Sequence, residues 1–203
     1  NKKNFYRMKA IILAAGRGSR INHITKYKPK ALIKFKKKTL LQNQIQVLKS
    51  NKISKIYLVT GYMKKKFENY KVNKIHNKKW KSSNMIYSLF LAEKILLKEE
   101  CIVSYGDIYY ENDAIKKLKK NKSDFCLLNN LNFLKNWKNR YSNPLKDLET
   151  FNYNKKRNLV EIGNKSKSYK KIKGQFMGLF KTKPKVWKKI ISYIEKKELN
   201  INN

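Results

Sequence analysis

The stretch Ile11-Ile12-Leu13-Ala14-Ala15-Gly16-Arg17-Gly18-Ser19-Arg20 constrains this chain more than any other. It opens as an unbroken apolar run, the pattern of a strand buried on both faces of a parallel sheet. It then breaks into two glycines one residue apart. Glycine permits a sharp turn, and the missing side chains let a phosphate approach the backbone amides. Pro29-Lys30 follows, so Arg20 and Lys30 bring fixed positive charge to the same region. Arginine is scarce: Arg7, Arg17, Arg20, Arg140 and Arg157 are all the chain has, and two of them sit here. A guanidinium presents a planar fork that matches phosphate, which lysine does not copy. A dinucleotide fingerprint is excluded, because Ile21 stands where a third glycine is required and Lys36-Lys37-Lys38 where an acidic residue is required. A P-loop is excluded too, since no Gly-Lys-Ser/Thr follows four spacers. The competing reading is a glycine turn beside solvated charges.

The pattern downstream alternates strand and helix. Leu40, Leu41, Ile45 and Leu48 have helical spacing, which predicts a helix over 39–50. Ile56–Thr60 is a second buried strand closed by Gly61, and 72–76 a short third. Asn84 is placed to cap a helix running to about Leu97, with Ser88 one turn in. Cys101-Ile102-Val103-Ser104-Tyr105-Gly106-Asp107 is then a buried strand that ends in glycine and a carboxylate. Ligands of open α/β sheets bind at the carboxyl ends of strands, so an Asp there, facing a phosphate loop, is placed to hold Mg²⁺. Its competing role is a helix cap. After a strand at 125–128 the pattern turns to meandering β: a hairpin over 148–162 and a strand over 174–180 with two glycines that allow close approach. A helix over 184–197 closes the pattern, with Val186, Trp187, Ile190, Ile191 and Ile194 on its apolar face. The expected class is α/β: a Rossmann-like, mixed but mostly parallel sheet with helices on both faces and a β-hairpin insertion in the second half.

The combination of strand, Ala-Ala-Gly-x-Gly-x-Arg and Pro-Lys resembles the signature of the sugar-phosphate nucleotidyltransferase superfamily. Four longer segments narrow the likeness: Asn84–Leu89, Ser104–Ile108, Asn143–Thr150 and Gly174–Leu179. They resemble the cytidylyltransferases for phosphocholine and 2-aminoethylphosphonate, with Pro-Leu-x-Asp-x-Glu-Thr and Gly-Gln-aromatic-Met-Gly leaning towards the aminoethylphosphonate branch. The resemblance spans about 9–181. It implies the nucleotidyltransferase fold and transfer of CMP from CTP to a small phosphorylated or phosphonylated amine, with pyrophosphate released. It implies that Leu13, Ala14, Ala15, Gly16, Gly18, Arg20, Lys30, Gly61, Asn84 and Ser88 surround the nucleotide. Lys30, Arg20 and Asp107 would be catalytic, with Asp107 on Mg²⁺. Tyr110, Trp137, Arg140, Asp147, Glu149 and Gln175 are the acceptor candidates. Asp147 and Glu149, alternating on one strand, would present two carboxylates on one face and favour a primary ammonium.

The family's second metal aspartate follows the helix that ends this chain, so the expected organisation is a basic extension over 1–8 and one domain over 9–203, truncated at its C-terminus. Met8 is an alternative start, because the chain begins at Asn1. The net charge of +37 looks like a nucleic-acid signal. However, lysine is spread over the whole chain beside abundant Asn and Ile, which share A/T-rich codons, so no specific nucleic acid is expected. Cys101 and Cys126 lack metal spacing and suit a reducing cytoplasm. No run approaches the roughly 20 apolar residues of a membrane helix. No oligomeric state follows. Two other readings stay open: a sugar-1-phosphate nucleotidyltransferase, and a non-enzymatic protein, either an inactive fragment or a basic polynucleotide binder.

Overall fold

The structure is a computed structural model and describes residues 8–18, 22–197 and 199. The chain falls into two compact units. The first runs up to Cys126 and resumes at Gly178; the second is Leu127–Met177.

The first unit is built on a sheet whose central strand is the apolar run. Strand β1 (Lys9–Ala14) pairs in parallel on both sides. The minute hairpin β2 (Lys34–Phe35) and β3 (Lys38–Thr39) precedes β4 (Ile56–Thr60), which lies on one side of β1, followed outward by β5 (Asn73–His76). Strand β6 (Cys101–Tyr105) lies on the other side. Two paired flanks and two covered faces explain why β1 carries no polar residue after Lys9. The sheet continues with β7 (Phe125–Asn130) and β10 (Gln175–Thr182), in the spatial order β5-β4-β1-β6-β10-β7. Strand β10 runs antiparallel to β6, so the sheet is mixed but mostly parallel, an α/β fold as expected.

Helix α1 is the short Asn22–Thr25. Helix α2 (Leu40–Ser50) begins on a capping box: Thr39 Oγ1 accepts from the Gln42 amide at 3.0 Å and Gln42 Oε1 from the Thr39 amide at 2.8 Å. Asn84 caps α3 (Met85–Phe90), its Oδ1 accepting from the Tyr87 amide at 3.0 Å. The helix expected to run on to Leu97 breaks at Ala92 and resumes as α4 (Glu93–Leu96), which lets Leu89, Ala92 and Leu96 all enter the core. Helix α5 (Asn112–Lys120) follows β6. Helix α7 (Pro184–Lys196) buries Trp187 against Phe90 at 4.9 Å between ring centres. The core joins Ile11, Leu13, Val59, Val103, Leu96 and Trp187.

The second unit holds α6 (Phe133–Lys138), which periodicity did not indicate, and the antiparallel hairpin β8 (Glu149–Tyr153) and β9 (Leu159–Lys165). Its core is small: Phe133, Leu148 and Ile172, with Leu134, Trp137 and Leu145 packed against them. No helix among the described residues is long and apolar enough to cross a membrane.

Candidate active site

The parallel strands β1 and β6 end side by side, with Leu13 in register with Tyr105. Their two exits, Ala14-Ala15-Gly16 and Gly106-Asp107, therefore open at the same sheet edge. They line a pocket of about 290 Å³ together with Gly18, Lys30, Trp80, Ser83, Asn84, Met85 and Ser88. Gly106 is required by this approach: a Cβ there would lie 2.8 Å from Ala14 Cβ and 2.9 Å from Leu13 O, while its amide donates to that same carbonyl at 2.8 Å. Gly18 adopts a left-handed φ of +77°, and a Cβ on it would press 3.0 Å from Lys30 Cδ. The Lys30 stem lies where that side chain would be. The loop is pinned from below by the fully buried Thr25, whose Oγ1 donates to Gly18 O at 3.1 Å.

Two charged side chains face each other in the pocket. Lys30 Nζ donates to Asp107 Oδ2, and each side chain keeps about a third of its surface in solvent, 38% and 34%. Among the described residues each is the other's ion-pair partner, and both line the pocket wall. The opposite wall is held by Asn77, which is 1% exposed: its Nδ2 donates to Ser83 Oγ and Ser88 Oγ, both at 3.0 Å. These two pocket serines thus have fixed orientations. Cys101 lies at the far end of β6, and burial pushes its thiol up to about 12, so it is no nucleophile at neutral pH.

The structure brings together Leu13, Ala14, Ala15, Gly16, Gly18, Lys30, Asn84, Ser88 and Asp107 at one pocket. Arg20 lies outside the described residues. Gly61 is not on the pocket wall: a Cβ there would overlap Trp80, so its bareness makes room for the indole that does line the pocket. Tyr110 does not supply an aromatic face for an acceptor. It is 3% exposed, and burial raises its hydroxyl pKa. The pairing of Asp147 with Glu149 on one strand face is also corrected. Asp147 ends a 3-10 turn, with φ −111° and ψ −24°, and only Glu149 belongs to β8. Asp147 Oδ2 accepts from the Trp137 indole at 2.9 Å, and Trp137 packs on the small core with the Arg140 guanidinium 5.9 Å from its ring centre. Gln175 is 8% exposed and donates to Glu149 O at 2.6 Å and Gly174 O at 2.9 Å. Trp137, Arg140, Asp147, Glu149 and Gln175 all belong to the second unit, where Arg140 and Glu149 are exposed. Sequence reasoning missed Thr25, Asn77, Trp80, Ser83 and Met85. An Asn after β5 and the run Trp80-Lys81-Ser82-Ser83-Asn84 before α3 were the only signals, and neither has a period.

A strand–glycine-loop–helix start beside a strand-end carboxylate defines a nucleotide-binding α/β protein. The MobA-like NTP transferase domain matches residues 10–129, and the chain belongs to that family. The match stops almost where the first unit is interrupted. A CTP:phosphoglutamine cytidylyltransferase of Campylobacter jejuni is 35% identical over 93% of this chain and 78% of its own length. A choline-phosphate cytidylyltransferase of Streptococcus pneumoniae is 42% identical over 56% of this chain and 49% of its own. The solved CTP:phosphocholine cytidylyltransferase of Streptococcus pneumoniae superposes with a TM-score of 0.67 at 26% identity, covering 94% of this chain and 77% of that one. The resemblance drawn from the sequence motifs is thereby established at the level of the family and of cytidylyltransferase relatives.

Proposed function

We propose that the protein transfers CMP from CTP to the phosphoryl or phosphonyl oxygen of a small nitrogen-bearing acceptor and releases pyrophosphate. The observation that carries this reading is the meeting of the glycine loop, Lys30 and Asp107 in one pocket. Support for cytidine over other nucleotides comes from the cytidylyltransferase relatives. For the acceptor, the match with the phosphoglutamine enzyme weighs most, because a likeness over 93% of the chain runs through most of the second unit as well. Phosphoglutamine is therefore the first acceptor to test. 2-Aminoethylphosphonate and phosphocholine follow; the carboxylate pair that singled out the former has dissolved.

The acceptor is already an oxyanion, so no side-chain nucleophile is needed. Catalysis rests on positioning and on charge placed where the pentacovalent phosphorus gathers it. Lys30 would leave Asp107 for the α-phosphate, and the Gly16–Gly18 amides would meet the β- and γ-phosphates. Arg20 would share that task. Ser83 and Ser88, held by Asn77, would border the nucleoside. Magnesium commonly uses one or two carboxylates plus substrate phosphates and water. Asp107, a partly exposed carboxylate at the pocket, fits that mode; no cluster of three or more His, Cys, Asp or Glu among the described residues forms a cage for a metal. Asp107 would hold the ion, which supplies charge neutralisation on the phosphates.

The test is pyrophosphate release with CTP, UTP, GTP or ATP, each against phosphoglutamine, phosphocholine, 2-aminoethylphosphonate and glucose-1-phosphate. Turnover is expected with CTP and one of the first three. Turnover only with UTP and the sugar phosphate would make the protein a sugar-1-phosphate nucleotidyltransferase instead.

A further inference from the structure

Gln44 is a glutamine in the middle of α2 with no exposed surface. A buried primary amide carries two N–H donors and an acceptor that must all be met, or each costs free energy. Here the needs are met in one place. Gln44 Nε2 donates to Tyr105 O at 3.0 Å and to Ile108 O at 2.8 Å, and Ser104 Oγ donates to Gln44 Oε1 at 2.9 Å. Only one orientation of the amide allows this, since two carbonyls can only accept. The two carbonyls bracket Gly106-Asp107. Strand β6 ends at Tyr105, so the turn that aims Asp107 lies past the strand, and a side chain from another element bonds the carbonyl on each side of it. The neighbouring Asn43 extends the clamp, its Nδ2 donating to Tyr110 O at 2.8 Å.

We propose that Gln44 is a positioning residue for the reaction: its amide bridges the two carbonyls on either side of Asp107 and so sets the direction of the carboxylate in the pocket. Packing alone does not require it. A leucine or methionine fills the same volume in a buried helix face without the desolvation cost of an amide. The function of the amide is therefore the polar bridge. The role in catalysis rests on the reaction proposed above; the clamp itself does not.

The experiment separates the two. Gln44→Met keeps the volume and removes the bridge. Val47→Ala, on the same helix and also buried, creates a cavity without touching the turn. Both proteins are compared with the unaltered chain by hydrogen–deuterium exchange over 103–110 and by steady-state kinetics with CTP, below the lower of the two melting temperatures. For Gln44→Met, exchange of the Gly106 to Ile108 amides is expected to quicken at least about tenfold, and kcat to fall about tenfold or more with the KM for CTP within about twofold. Val47→Ala lowers the melting temperature and moves neither quantity. Gln44→Asn, too short to span both carbonyls, should resemble Gln44→Met. Unchanged exchange in Gln44→Met overturns the clamp. Faster exchange with unchanged kcat overturns the positioning role. If the unaltered chain releases no pyrophosphate with any acceptor, the proposed reaction fails, and the exchange data still decide the clamp.

Discussion

The two units hold their polar side chains in different ways. In the first, the pocket residues are fixed by buried partners on other elements: Thr25 under Gly18, Asn77 behind Ser83 and Ser88, Gln44 behind Asp107. In the second, the carboxylates that looked like ligand groups are either spent within the unit, as Asp147 is on the Trp137 indole, or lie exposed on a strand, as Glu149 does. Phosphate recognition, as proposed for the first unit, would use backbone amides, close strand exits and a strand-end carboxylate. Those demands leave Gly18 and Gly106 at places where a side chain does not fit, and a carboxylate at a strand end. Recognition of an acceptor's head group asks only for side-chain types, and these leave no spacing behind.

The largest effect separating the two units belongs to Asp107. Asp107→Asn keeps the shape of the side chain and removes its charge, so pyrophosphate release from CTP should fall by about 10³-fold, the upper range for removing one electrostatic contributor. The melting temperature should move by only a few degrees, since the carboxylate is partly in solvent. A variant with near-normal kcat would remove Asp107 from the reaction and leave it as the ion-pair partner of Lys30; it caps no helix, since α5 starts at Asn112 after Glu111.

Lys30 comes next. Lys30→Ala should lower kcat by about 10²-fold. The loss of its stem also vacates the space over Gly18, where its methylenes pack. Gly18→Ala is the companion variant. With φ at +77° and Lys30 in the way, the added methyl strains the loop and pushes the lysine. If Lys30→Ala loses thermal stability alone and keeps kcat, the loop is a structural turn.

Much of the first unit was readable from its residues. The apolar run of β1, the start of α2 near Thr39, the strands β4, β5 and β6 and the Asn84 cap all sit where local patterns place them, because buried parallel strands and helix starts impose dense, short-range rules. What escaped was long-range. Gln44 and Asn77 are polar residues whose partners lie about sixty and about ten positions away, and no period marks them. Tyr110 was misread because an aromatic next to Asp107 invites a ligand role, whereas the chain turns inward there and buries the ring. In the second unit the hairpin was evident from its turn, but α6 is only six residues long and too short for a 3.6-residue period to declare itself. The extended reading of Asp147 failed because Pro144 starts a 3-10 turn that carries the chain to it.

The smallest effects test the second unit, where two neighbouring carboxylates should now behave differently. Asp147→Ala leaves the part-buried Trp137 N–H without its acceptor, which costs about 1–3 kcal/mol of stability. Glu149 lies opposite Lys165 across the hairpin and is exposed, so Glu149→Ala should change stability by no more than about 0.5 kcal/mol. Their kinetics should diverge in the opposite sense if Glu149 binds a cationic head group. One charge-assisted hydrogen bond is worth about 1.5–3 kcal/mol, so its loss should raise the acceptor KM about tenfold or more with the KM for CTP unchanged. Asp147→Ala should leave the acceptor KM within about twofold once measured below its melting temperature. Thermal melts and acceptor titrations on the two variants give both quantities. A large KM effect from Asp147→Ala, with stability intact, would mean that the indole contact is exchanged for substrate and that the second unit holds its ligand groups in the same way the first does.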